Sequence, residues 1–282
     1  MPGLLEHAAA RLAYWHARRV HARFLGALGR VSDEQRRALK RALAAVQASD
    51  FARVYRLARV RTVADLQAAI PLQTYEDLRP YVQRVWNGEV RALFCPRQRP
   101  LMFATTSGTT AQAKLIPVTP AFIRDYRRGW NTFGLKLLSD HPEAVLRSIL
   151  QASGRVDASY SPTGVPCGAI TGLLARTQKR IVRRFYVGRP EIALLGDARA
   201  RYYTLMRLGI SRDVAFAITA NPATLIQMAR TAHEQSEALI RDVHDGTLSK
   251  RLVPDDRLRP VSYTHLRAHE TPEHLVCRLL LE

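Results

Sequence analysis

The sequence predicts an α/β chain, a helical N-terminus followed by mixed α/β structure. Three observations predict it. Apolar residues recur at helical spacing in the first stretch, helix-capping signals recur through the first third, and beyond Cys95 short apolar runs alternate with helix starts.

The elements follow in order. Leu4 to Leu28 places Leu5, Ala8, Leu12, Trp15, Val20 and Phe24 at helical spacing, with Arg and His between them. An Arg-rich N-terminus of this kind can mimic a transit peptide, but Glu6 and its length favour a packed helix. Ser32-Asp-Glu-Gln35 signals a second helix ending near Ser49, and Thr62-Val-Ala-Asp65 and Thr74-Tyr-Glu-Asp77 signal two more. Pro71 and Pro80 punctuate this region, and Asn87-Gly88 marks a turn. Pro100 to Thr105 reads as a short buried strand and Leu115 to Val118 as a second strand, on either side of a Gly/Ser/Thr-rich loop. Thr119-Pro120 supplies an N-cap and an N1 proline for a helix to about Leu138. Val145 to Leu150 reads as a strand and 153–172 as a long loop. Helices at 172–186 and 197–208, a strand at Val214 to Thr219 and a helix capped by Asn221 complete the pattern.

Composition narrows the function classes. The chain has 282 residues, 47% hydrophobic and 24% charged, which is globular rather than disordered or coiled-coil. No apolar run is long enough for a transmembrane helix and no secretory signal is present, so a cytoplasmic protein is expected, with no membrane partner. Cys95, Cys167 and Cys277 are far apart and odd in number, which suits a reducing compartment better than a disulfide framework. The net charge of +19 raises nucleic acid as a partner. Yet 38 of the 43 basic residues are Arg, scattered in pairs such as Arg127-Arg128 and never in a block, a skew that GC-rich coding also produces. No nucleic-acid partner is therefore expected.

The segment that carries chemistry is Thr105-Thr-Ser-Gly-Thr-Thr-Ala-Gln-Ala-Lys114. Gly108 permits a sharp turn and close backbone approach. Backbone N–H groups and the hydroxyls of Thr106, Ser107, Thr109 and Thr110 can donate to phosphate oxygens, and Lys114 adds a point charge. The order is neither that of a Walker loop nor of a dinucleotide fingerprint. A polar turn between two strands is the alternative on composition alone.

Thr106-Ser-Gly-Thr-Thr-x-x-x-Lys114 resembles the phosphate-binding loop of the adenylate-forming superfamily. Its flanks, Pro71-Leu-Gln-Thr-Tyr-Glu-Asp-Leu-Arg-Pro-Tyr-Val82, Asn87-Gly-Glu89, Leu115-Ile-Pro-Val-Thr119 and Ala220-Asn-Pro-Ala-Thr-Leu225, resemble the auxin-responsive acyl-acid amido synthetases, the Gretchen Hagen family, and its bacterial relatives in particular. The resemblance spans about residues 50 to 250. Ala111 and Ala113 depart from the Gly and Pro usual in the wider superfamily.

The resemblance implies the N-terminal part of the large domain of an acyl-adenylate synthetase. It implies ATP and Mg²⁺ as cofactors, and a small-molecule carboxylic acid and an amine or amino acid as partners. Thr106, Ser107, Gly108, Thr109, Thr110 and Lys114 would hold the β- and γ-phosphates. Ser161-Pro-Thr-Gly-Val-Pro-Cys-Gly-Ala-Ile-Thr-Gly172 resembles a stretch of bacterial relatives in which Gly164, Pro166 and Gly168 would line the acyl pocket; a structural loop of special dihedrals is the equal alternative.

The family's later acidic motif for Mg²⁺, its ribose-binding Asp and its small C-terminal domain find no counterpart here. Residues 1–260 are therefore read as an incomplete large domain, expected to be inactive alone, with no catalytic residue or metal ligand assigned. A non-catalytic nucleotide-binding remnant is the alternative, and a basic nucleic-acid-binding protein the more distant one. Residues 261–282 resemble translated sequencing adapter, so the zinc-ligand types His265, His269, His274 and Cys277 are read as an accidental pattern.

Overall fold

The computed structural model describes residues 4–106, 113–145, 147–254 and 258. Helices α1 (Leu4–Leu28) and α2 (Val31–Val46) are joined by a tight turn in which Arg30 N–H donates to Ala27 O at 2.9 Å. Ser32 does not cap α2. The N–H groups of Asp33 and Glu34 both bond to Arg30 O, so the turn starts the helix ahead of the serine. Asp33 and Glu34 still lie in the first turn, where carboxylates favour the helix dipole.

Ser49 is the cap of a further short helix, α3 (Asp50–Val54), accepting from Ala52 N–H at 3.0 Å. Helices α4 (Val63–Ala69) and α5 (Tyr75–Trp86) open on capping boxes, Thr62 with Asp65 and Thr74 with Asp77. The backbone N–H of Arg61 and that of Thr74 hold the carboxyls of Asp65 and Asp77, respectively, below the usual range. Pro80 lies inside α5 rather than ending a helix. It falls in the second turn, where a proline forfeits one backbone hydrogen bond, and Val82 and Val85 beyond it are buried and hold the helix down.

Strand β1 (Met102–Thr105), strand β2 (Leu115–Val118) and helix α6 (Pro120–Asp140) match the predicted order, with Thr119 capping α6 through Phe122 N–H. Strand β3 (Ser148–Gln151) follows. The predicted loop 153–172 contains strands β4 (Ser159–Tyr160) and β5 (Pro166–Gly168), too short to show periodicity. The predicted helix 172–186 is two pieces, α7 (Ile170–Arg176) and α8 (Arg180–Arg183). Helix α9 (Ala198–Ile210), strand β6 (Val214–Ile218) and helices α10 (Pro222–Glu234) and α11 (Ser236–His244) end the described elements.

These elements form two compact units: residues 1–145 with 156–168, and residues 146–155 with 169–282. The first holds a four-stranded sheet ordered β2-β1-β5-β4, in which β1 and β5 are parallel and the other pairs antiparallel. Val85, Ala92, Phe103 and Cys167 form its core under this sheet, and Trp86 meets Phe103 edge-on at 4.9 Å. A smaller cluster of Ala52, Leu57 and Val60 ties α3 to the helical layer.

The second unit pairs β3 with β6 in parallel. Its core surrounds α9, every residue of which is buried from Tyr203 to Ile210. Gly188 is required there by close approach, since a Cβ would stand 2.6 Å from Gln151 O.

Candidate functional site

The chemistry-bearing loop leaves the sheet at the end of β1. Thr105 lies opposite Leu115 in the β1–β2 ladder, and the next backbone bond, Thr106 N–H to Lys114 O at 3.3 Å, closes the loop's neck. Thr106 is half-buried and Lys114 is exposed. Ser107, Gly108, Thr109 and Thr110 lie outside the described residues. The two described members of the predicted phosphate set therefore face each other across the neck.

Strand β5 runs parallel to β1, with Gly168 beside Ala104 and Cys167 beside Phe103. Parallel strands put their carboxyl ends on one edge, so Gly168 comes to the same end of the sheet as Thr106 and Lys114. Gly164 does not. It sits at φ +79° in the β4–β5 turn, with its N–H on Ser161 O at 2.9 Å, and the Ser161 hydroxyl accepts from Val165 N–H at 3.0 Å. Pro166 pairs with Tyr160 at the base of that hairpin. The turn packs on Asn87-Gly88: Gly88 has φ +103°, and a Cβ there would lie 2.9 Å from Thr163 Cγ2.

One residue at the neck, Tyr75, shows in the sequence only as part of a helix start and a flanking motif. The Tyr75 hydroxyl accepts from Leu115 N–H at 2.9 Å and donates to Leu115 O at 3.2 Å. Lys114 Nζ lies 5.4 Å from the Tyr75 ring centroid and the Arg79 guanidinium 5.5 Å from it. Arg79 pairs with Glu76 at 2.7 Å. Among the described residues, no carboxylate forms an ion pair with Lys114. The signal was hidden because Tyr75 and Leu115 are 40 residues apart in sequence.

At the neck the Lys114 ammonium is exposed and, among the described residues, meets the Tyr75 ring rather than a carboxylate, which leaves its charge open to an anion. The arrangement offers no described metal centre: among the described residues, no group of three or more His, Cys, Asp or Glu could hold an ion. Cys167 is buried in the core and Cys95 half-buried, and neither is in a disulfide. Among the described residues no helix is long and apolar enough to cross a membrane. The segment 261–282, with its His and Cys pattern, lies outside the described residues.

Comparison with known proteins bears on this geometry. The family description "GH3 family N-terminal domain" matches residues 20–281. A putative indole-3-acetic acid-amido synthetase GH3.10 of Oryza sativa subsp. japonica is 28% identical over 208 residues, covering 69% of this chain and 41% of the relative. Among solved structures, GH3.15 acyl acid amido synthetase superposes with a TM-score of 0.68 at 18% identity, over 81% of this chain and 41% of that one. AtGH3.15 acyl acid amido synthetase in complex with 2,4-DB gives a TM-score of 0.66 at 19% identity, over 77% and 38%. The structural likeness shows a shared α/β fold, and the chain spans about two fifths of the length of these relatives. With nearly its whole length matched by the family's N-terminal domain, this chain belongs to the GH3 family.

Proposed function

We propose that residues 1–260 carry the nucleotide-phosphate site of an ATP-dependent acyl-acid amido synthetase and do not complete the reaction alone. In the whole reaction a carboxylate attacks the α-phosphorus of ATP, giving an acyl-adenylate and releasing pyrophosphate. An amine then attacks the acyl carbon, forming the amide and releasing AMP. The carboxylic acids named for the relatives, indole-3-acetic acid and 2,4-DB, support a small organic acid as substrate.

One observation carries the reading: a loop with a closed neck, at the carboxyl end of β1, holds Lys114 exposed and free of a carboxylate partner among the described residues. An ammonium so placed can bind the β- and γ-phosphates, and the residue types from Thr106 to Thr110 supply hydroxyl and backbone donors for the same oxygens. Its role is to position ATP and stabilise the leaving pyrophosphate. Mg²⁺ bound to the nucleotide would share that charge; the described residues supply no acidic ligand set for it, so no step is assigned through the metal. The position of Gly168 supports a wall near the reacting end, whereas Gly164 and Pro166 serve the hairpin that holds it.

Calorimetric titration of MgATP into the chain and its Lys114→Ala variant tests the reading. We expect about tenfold weaker binding in the variant, ~1.4 kcal/mol, with the melting temperature unchanged. Equal affinities would remove Lys114 from the site. Affinity for DNA with a steep salt dependence, without any for ATP, would favour the nucleic-acid reading.

A further inference from the structure

We infer that Tyr75 is a positioning residue for this loop: its hydroxyl locks the outgoing foot at Leu115 while its ring carries Lys114. The inference rests on the phosphate-binding reading above.

Strand β2 is the edge of its sheet, so every second residue turns its N–H and C=O away from β1. The Thr106–Lys114 bond places the pair Thr105–Leu115 in the non-hydrogen-bonded position, which leaves both backbone groups of Leu115 facing outward. Tyr75 satisfies both with one oxygen, at 2.9 and 3.2 Å, taking the part of a neighbouring strand at a single residue. The phenol itself is fixed from behind, because Tyr75 is the first residue of α5, whose start is set by the Thr74–Asp77 box. Lys114 is thereby held between two fixed points, its own carbonyl bonded to Thr106 and the next residue bonded to Tyr75.

The ring then sets where the ammonium rests. Of the two cations near it, Arg79 is neutralised by Glu76, and Lys114 has the ring at 5.4 Å. A cation resting on a half-buried ring is weakly held compared with one on a phosphate, so the ring keeps Lys114 near the neck and yields it to an anion.

The test uses the chain with Tyr75→Phe, which removes only the hydroxyl, and Tyr75→Leu, which removes the ring as well. For each, MgATP and pyrophosphate affinity, melting temperature and amide hydrogen exchange at Leu115 are measured. We expect Tyr75→Phe to speed exchange at Leu115 at least fivefold and weaken MgATP binding three- to tenfold while the melting temperature holds. Tyr75→Leu should weaken binding further, and that extra loss should vanish in a Lys114→Ala background, since it acts through the ammonium. Should Tyr75→Leu fail to fold, the Phe variant decides. Wild-type binding with an unaffected Tyr75→Phe overturns the Tyr75 inference alone. A wild-type chain that binds neither MgATP nor pyrophosphate overturns the phosphate reading and this inference with it.

Discussion

In the unit built on the four-stranded sheet, Lys114 stands in solvent with an aromatic ring as its neighbour. In the unit built around α9, charge is buried and its partners are supplied from within. Asp242 accepts from the Tyr203 hydroxyl at 2.6 Å, the Thr247 hydroxyl at 2.9 Å and Ser249 N–H at 2.6 Å. Arg207, 2% exposed, donates from Nε to Thr247 O at 2.9 Å. The same residue types thus serve opposite ends. A buried network that satisfies its own members specifies one packing and has little left to offer a ligand. A cation held by backbone geometry and a ring keeps its charge available. The first unit thus leaves an exposed cation for a ligand to meet, and the second uses its charges to fix its own packing.

The comparison can be broken first at Asp242. Asp242→Ala strands the Tyr203 hydroxyl in the core and takes the charged acceptor from the half-buried Ser249 N–H and the exposed Thr247 hydroxyl, and should destabilise the chain by about 3–5 kcal/mol in urea unfolding. A loss under 1 kcal/mol, roughly the worth of one exposed hydrogen bond, would mean that the network is not what holds α9 and α11 together. Lys114→Ala should do the reverse, changing anion affinity and leaving stability alone.

Gly88→Ala is the next largest. Its φ of +103° and the 2.9 Å approach to Thr163 make any side chain strained, so about 1–3 kcal/mol of stability should be lost. Because the displaced partner is the turn bearing Gly164, crystallography or NMR of the variant should show residues 161–165 shifted. A variant as stable as wild type would show that the two turns are independent.

The smallest effect sharpens the contrast through pH. Burial, and then the Asp242 carboxylate, push the Tyr203 phenol above its ordinary value. The native state therefore keeps this proton after the unfolded state has released it. The associated stability is intact below about pH 10 and falls above it, by up to ~1.4 kcal/mol per pH unit. Tyr203→Phe should flatten that alkaline slope, and a slope unchanged in the variant would assign it to other groups.

Much of the helical framework was legible because helix starts are written locally. Thr62 with Asp65, Thr74 with Asp77, Thr119 before Pro120 and Asn221 before Pro222 each supply a cap within three residues of the groups they satisfy. Ser32 misled because a tight turn at Gly29-Arg30 started α2 sooner, and Pro80 because its first-turn cap and buried valines outweigh one missing hydrogen bond. Strands β4 and β5 are too short to show a period; β5 forms on the edge that β1 offers, and β4 pairs with β5 in turn.

By itself the sequence determined the α/β class, the helix starts that carry a local cap, the two strands around the loop and the residue types suited to a phosphate. All of these depend on neighbours a few positions away. Only the tertiary structure decided that Gly168 shares an end of the sheet with Thr106 and Lys114, that Gly164 belongs to a turn packed on Gly88, and that Tyr75 grips Leu115. Those relations join residues tens of positions apart, and strand pairing and packing, rather than local propensity, set them.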